Sequence, residues 1–397
     1  MVNIWKDYPQ KPLPDLLEFI VDNRGKTVPT VSQEEACEIV LIATNCIRNE
    51  NLYPVYEKVR YISRDTYENW FRAHPQSGDI IFVNKGTPGR VCFCPENIDF
   101  CIAQDMMAFR SDSSQLYNKY LLALLRSREL QEQIRITSVG DTIPHFKKEF
   151  LKELSIPLPP LSIQHIIGDF YFTLSDKIEL NNRINANLEQ QAQAIFKSWF
   201  VDFEPFGGKM PKDWKMGTIS DICCYSNNKV NVEYLTLDNY FSTENMQPNR
   251  QGALQATSLP NIKQTTACKK GDVLVSNIRP NFKKILYCFS DCGCSTDVLC
   301  FVPNNRELST YLYSALYSDK FFDYVVAGVK GTKMPRGDKQ QIMKYPIYIP
   351  TTEYFEQFNQ IVSPMLETVY INRLEINNLS SLRDALVPKL MSGEINV

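Results

Sequence analysis

The chain has 397 residues, 44% of them hydrophobic and 22% charged, with a formal net charge of −2. That length suits two or three separate cores, and the composition excludes a disordered or low-complexity chain. A charge so near neutrality means that any nucleic-acid contact comes from a local basic patch. No apolar run approaches about eighteen residues, and the opening MVNIWKDYPQKPLPDLL lacks the basic start and apolar block of a signal peptide. A cytoplasmic location without membrane contact is expected, with the twelve cysteines reduced. Cys92-Phe-Cys94 and Cys292-Gly-Cys294 have no second pair or His at zinc spacing, so no metal is expected in this chain.

Residues 1–155 mix short strands and turns. Glu38–Ala43, Asp79–Val83 and Met107–Arg110 are apolar, β-rich runs bounded by Gly, Pro and Asn. Tyr120–Gln133 switches to a helical period. The prolines of Leu154–Leu161 then mark an extended boundary. From Ser162 to Phe203 one long helix is predicted. Tyr171, Ile178, Asn185, Ala192 and Trp199 form one seven-residue row, and Ile167, Leu174, Asn181, Leu188 and Ile195 form a second. Alternating three- and four-residue steps are the seam of a coiled coil, and forty residues at ~1.5 Å each make a rod on the order of 60 Å long. Such a rod needs a partner.

Residues 206–350 repeat the grammar of the first segment. Gly78-Asp-Ile-Ile-Phe-Val83 matches Gly271-Asp-Val-Leu-Val-Ser276, and Tyr120–Ser127 matches Tyr311–Ser318. Gly140–Pro144 matches Gly331–Pro335, and Ile156–Pro159 matches Ile347–Pro350. From the tyrosine onward the offset holds at 191 residues, which carries the helix rows onto Val362, Val369, Ile376, Arg383 and Leu390, and onto Phe358, Met365, Asn372, Leu379 and Leu386. The chain reads as a tandem duplication of head plus helix. Its predicted divisions are a first head at 1–155, a first spacer helix at 156–205, a second head at 206–350 and a second helix at 351–397. The fold class expected is α+β: two mixed α/β heads separated by two long antiparallel coiled-coil helices with internal pseudo-two-fold symmetry. The equivalent Asn181 and Asn372 would fix register, since a buried Asn costs stability but specifies pairing. Arg383 is the one polar intruder without a counterpart, and it is expected to face solvent or another subunit.

No catalytic constellation stands out. His74, His145 and His165 are scattered, no phosphate-binding glycine loop or amino-methyltransferase motif is present, and Asp213-Trp-Lys215 is an isolated D-x-K. What recurs are basic turns at corresponding places in the heads. One holds Asn84, Lys85, Thr87 and Arg90; the other holds Asn277, Arg279, Asn281, Lys283 and Lys284. Residues 269–284 carry five Lys/Arg against one Asp, and residues 330–344, with Lys330, Lys333 and Arg336, carry the same balance. Cations neutralise phosphates, and Asn and Arg make paired hydrogen bonds to base edges, so these are the candidate DNA contacts.

Leu158-Pro-Pro-Leu-Ser162, Asp176-Lys-Ile-Glu-Leu-Asn181, Phe196-Lys-Ser-Trp-Phe-Val-Asp-Phe203, Met210-Pro-Lys-Asp-Trp-Lys215 and Leu386-Val-Pro-Lys-Leu-Met-Ser-Gly-Glu394 resemble the conserved regions of type I restriction–modification specificity subunits. The resemblance implies a non-catalytic subunit whose heads each read one half of a bipartite asymmetric site on double-stranded DNA. It implies paired helices that set the spacer and dock two modification subunits, with restriction subunits joining them. S-adenosylmethionine, ATP and Mg belong to those partners, and no cofactor is expected in this chain. The competing expectations are a coiled-coil scaffold that reads no DNA and a single-chain methylating or cleaving enzyme.

Overall fold

The computed structural model describes residues 8–23, 25, 27–102, 104–140, 142–329, 331 and 334–395. It divides into two compact units, Met1–Leu180 with Asn378–Val397, and Asn181–Asn377.

In the first unit, strands β1 (Leu17–Val21), β2 (Ile80–Val83), β3 (Val91–Phe93) and β4 (Met106–Ser111) form one antiparallel sheet in the order β1-β4-β2-β3. A second sheet joins Arg60–Tyr61, Val40–Ile42 and Phe100–Ile102. Strand β2 explains its own sequence. Ile80 and Phe82 enter one core while Ile81 and Val83 enter another, so both faces are buried and the run is continuously apolar instead of alternating. The strand starts at Asp79, which is 1% exposed and caps the preceding turn by accepting from the Gln76 N–H at 2.8 Å. Arg110 neutralises it with two hydrogen bonds of 3.0 and 2.9 Å.

The helical period over 120–133 resolves into two helices, α1 (Asn118–Leu125) and α2 (Arg128–Thr137). The chain breaks there because the Ser127 hydroxyl accepts from the Leu130 N–H at 3.3 Å, which favours a new N-cap over continuing the first helix. The proline-rich boundary forms a short strand, Ser155–Pro157, paired antiparallel with Gln10–Pro12.

The second unit repeats this plan. Strands β5 (Cys223–Tyr225), β6 (Val273–Ser276), β7 (Ile285–Tyr287) and β8 (Val298–Pro303) form a sheet ordered β5-β8-β6-β7. Here Val273 and Val275 face one core and Leu274 another. Asp272 heads β6, accepting from Lys269 N–H at 2.8 Å and from Arg306 at 2.7 Å. Ser318 ends one helix (Ser309–Tyr317) and caps the next (Asp319–Ala327), as Ser127 does. All twelve cysteines are free, and both C-x-C pairs are core residues.

Two forty-residue helices, Leu161–Phe200 and Thr352–Met391, complete the fold and contribute to both units; they are α3 and α4 below. Within the first unit, Ile167 and Tyr171 share a core with Val387, Leu390 and Met391. Arg383 does not face outward, because its guanidinium lies 5.6 Å from the centre of the Tyr171 ring and its Nε bonds Asp384 at 2.8 Å. Its aliphatic stem takes the apolar place in the row while the charge keeps a partner. Within the second unit, Asn181 donates to Glu375 at 2.7 Å, Asn372 donates to Asn185 at 2.9 Å, and Phe358 packs on Phe196 and Phe200. The two expected register asparagines therefore each pair, with Glu375 and Asn185 respectively. Of the predicted seam, Ile167, Ile178, Asn181 and Val369 are buried; Leu174, Leu188, Ile195, Met365, Asn372, Leu379 and Leu386 are half-buried.

Gly168 is where α3 comes closest to the head. A Cβ there would stand 2.6 Å from the Tyr120 backbone N and 3.0 Å from the Lys119 carbonyl carbon. Helix propensity alone favours alanine, by about 1 kcal/mol. Because backbone atoms cannot swing aside, Gly168→Ala is expected instead to lose about 1–3 kcal/mol, measured by guanidinium unfolding of the full chain.

Candidate nucleic-acid interface

The β2–β3 turn begins at Asn84, which is 1% exposed, so this residue is a foundation of the turn and not its reading surface. Its N–H donates to the Asp105 carbonyl at 3.0 Å, and its own carbonyl accepts from Phe146 N–H at 2.7 Å. Lys85 bridges His145, and the Gly86 N–H donates to the Pro144 carbonyl at 2.9 Å. Gly86 takes a φ of +83°, which glycine adopts without steric cost. The turn is thus latched onto residues 144–146. Lys85 and Arg90 are exposed and Thr87 is half-buried. A cavity of about 300 Å³ opens beside it, between Gly25 and Thr27 on one side and Asn84, Lys85, Gln104, Asp105 and His145 on the other.

The β6–β7 turn is held by the same bonds. Asn277 N–H donates to the Asp297 carbonyl at 2.8 Å, its carbonyl accepts from Gly337 at 3.2 Å, and Arg279 N–H donates to the Pro335 carbonyl at 2.9 Å. Arg279 stands where the first head has Gly86, with φ at +49°, and Lys283 follows at +51°. Left-handed backbone at two non-glycine residues costs on the order of 1–3 kcal/mol each and persists because the latch over-determines it. Arg279 and Asn281 are exposed. Lys283 instead pairs with Asp319 at 2.6 Å, Lys284 donates to the Thr243 carbonyl at 2.6 Å, and Arg336 pairs with Asp297 at 2.9 Å. Burial lowers the Lys284 pKa. Lys330 and Lys333 lie outside the described residues.

Distant residues brace each turn, and no sequence pattern marked them. Asn249 and Arg250 donate backbone N–H groups to the Phe282 and Lys283 carbonyls at 2.8 and 3.0 Å. The Arg250 guanidinium bonds the Tyr317 carbonyl at 2.7 Å and Asp319 at 2.6 Å. Lys283 and then Arg250 hold the Asp319 carboxyl down to about 2. The Arg250 carbonyl in turn accepts from Arg373 of α4 at 2.8 Å, and Arg373 pairs with Glu189 of α3 at 2.6 Å. Burial raises the Glu189 pKa despite that cation. In the first head, the Val91 N–H at the start of β3 donates to Asn49 at 2.9 Å, and Arg126 ties the carbonyl of Val91 to the Tyr171 hydroxyl of α3 with bonds of 2.8 and 3.2 Å. Glu179 of α3 accepts from the Leu52 N–H at 3.4 Å. Partners separated by as many as 184 residues leave no local signature.

Two of the histidines serve packing. His74 stacks on Tyr67, and His165 lies against Tyr117 with centroids 3.9 Å apart. Among the described residues, no group of three or more His, Cys, Asp or Glu is placed to hold a metal ion. No described helix is long and apolar enough to cross a membrane.

The family model described as the type I restriction modification DNA specificity domain matches residues 6–190 and again residues 211–380. The chain belongs to this family. The two matches fall on the two halves of the duplication. Among curated relatives of this specificity family, the type I restriction enzyme MjaIX specificity subunit of Methanocaldococcus jannaschii is 26% identical over 316 residues, which is 70% of this chain and 69% of that one. The HindI specificity subunit of Haemophilus influenzae is 23% identical, covering 81% of this chain and 87% of its own length. A crystal structure of a type I restriction–modification system S subunit from M. genitalium superposes with a TM-score of 0.58 at 16% identity, over 98% of this chain and 97% of that chain, and so shares the fold. Membership makes this chain a specificity subunit, the non-catalytic member of a type I restriction–modification complex. It favours that reading over a scaffold without a DNA role.

Proposed function

We propose that the two latched turns are the DNA-reading surfaces, each over one half of a bipartite, asymmetric site. The observation that carries this is the recurrence of one hydrogen-bonded frame, Asn84 with Phe146 and Gly86 with Pro144 in one head, Asn277 with Gly337 and Arg279 with Pro335 in the other, around turns whose exposed residues differ. A shared frame presenting unlike side chains suits unlike half-sites. The heads are assigned to 1–155 and 206–350, with spacer helices at 156–205 and 351–397. The long helices act as an antiparallel coiled coil that sets the unread spacer. Support comes from contacts in which one helix number falls as the other rises, from Tyr171 with Arg383 to Phe196 with Phe358. Two modification subunits dock on this helix pair and restriction subunits join them. S-adenosylmethionine, ATP and Mg act in those partners.

Salt-dependent binding of the assembled complex tests the reading. Replacing Arg279, Lys283 and Lys284 together by Ala is expected to weaken binding. The plot of log affinity against log salt should flatten by about 0.9 for each phosphate that is no longer neutralised. Arg279→Ala alone carries most of the expected effect, since Lys283 and Lys284 have internal partners. Unchanged affinity and slope would favour the scaffold. Mapping modified adenines in cells with and without the gene then gives both half-sites and the spacer.

A further inference from the structure

The cavity of the first head and an ion pair of the second occupy corresponding places, and the difference between them points to a ligand. In both heads the asparagine at the foot of the turn is anchored to an aspartate carbonyl, Asp105 or Asp297. In both, the residue after the latch proline bridges the turn: His145 meets Lys85, and Arg336 meets Ile278. In the second head the Arg336 guanidinium bonds the Asp297 carboxylate at 2.9 Å. The first head has the shorter His145 there, with its Nε2 3.4 Å from Asn84 Nδ2, and the cavity opens beside Asp105. Asn84 Oδ1 and its counterpart Asn277 Oδ1 are both buried without a hydrogen-bond partner among the described residues, so the heads differ at the aspartate and not at the asparagine. Asp105, half-buried in the cavity lining, has a histidine where the second head sets an arginine, and a hydrogen bond from an entering donor to such a charged acceptor is stronger than one to a neutral group.

Resting on the reading of these turns as DNA-facing, we propose that the cavity takes the exocyclic amino group of a nucleobase, N4 of cytosine or N6 of adenine. The Asp105 carboxylate accepts from the amine, as Asp297 accepts from the Arg336 guanidinium. Thymine O4 and guanine O6 would instead bring their lone pairs against a carboxylate. The first head therefore separates A and C from G and T at one position. In the second head, Arg336 already donates to Oδ1 of the equivalent carboxylate and stands in the amine's place, so that discrimination is missing there.

The test uses the assembled complex and duplexes carrying its site, with each adenine replaced in turn by purine and each cytosine by 2-pyrimidinone, which deletes one amine at a time. For the unaltered complex, one position in one half-site is expected to lose about 5- to 150-fold in affinity. In Asp105→Ala, and separately in His145→Arg, which sets an arginine beside Asp105, that penalty is expected to vanish. Penalties in the other half-site should stay, which also reports that the variant is folded. His145→Arg keeps the test open should Asp105→Ala fail to fold. Retention of every penalty in both variants overturns the proposal. Failure of the unaltered complex to select any bipartite site would instead remove the reading beneath it.

Discussion

Asp79→Ala is expected to destabilise the first unit by about 3–5 kcal/mol, because it leaves the Arg110 guanidinium without the carboxylate that balances it and the Gln76 N–H without its acceptor. The loss is large because the carboxylate is 1% exposed, so water does not substitute for it. The same residue starts the strand that leads into the first turn. Denaturant unfolding of the full chain, followed by a probe in each head, checks the prediction. A drop of under about 1 kcal/mol, the value of an exposed pair, would show that the pair is solvated.

Arg373→Met is expected to cost a similar amount in the second unit, about 3–5 kcal/mol, by leaving Glu189 buried without its cation. The pH dependence separates this cause from lost packing. Burial already raises the folded pKa of Glu189 above its unfolded value. A raised carboxyl contributes stability below the unfolded pKa and loses it as pH rises through the folded one. Without Arg373 the folded pKa climbs further, so the deficit should be small at pH 4 and full at pH 7. Adding Glu189→Gln should recover most of it at pH 7. A deficit equal at both pH values would assign the effect to packing alone.

The duplication, the long helices and the strands at 79–83 and 271–276 were legible because each is a local pattern repeated once at a fixed offset. The turns were legible as charge. Which of their residues are exposed was not, because Asn84 and Asn277 have the same chemistry as a reading residue and are held inward by bonds to residues 105 and 146, and 297 and 337, far along the chain. Lys283 and Lys284 add to the basic patch in sequence, but Asp319 and the Thr243 carbonyl, 36 and 41 residues away, engage both. Arg383 breaks the apolar row in sequence and fits it in space, since a guanidinium can lie on a tyrosine ring. Two helices at 118–137 read as one because apolar spacing continues across Ser127, and only its capping bond reveals the break.

The sharing of the long helices has a kinetic side. Val387, Leu390 and Met391 belong to the core that contains Leu13, Leu16 and Tyr120. A ribosome delivers Leu13 long before Met391, so the first unit closes after the second although most of it is made first. The second unit is a single continuous segment, Asn181–Asn377, and has all its parts before Met391 is made. Contacts across so much chain are slow to form, and the unfinished first head exposes apolar surface meanwhile. Birth order and completion order are thus reversed in this molecule.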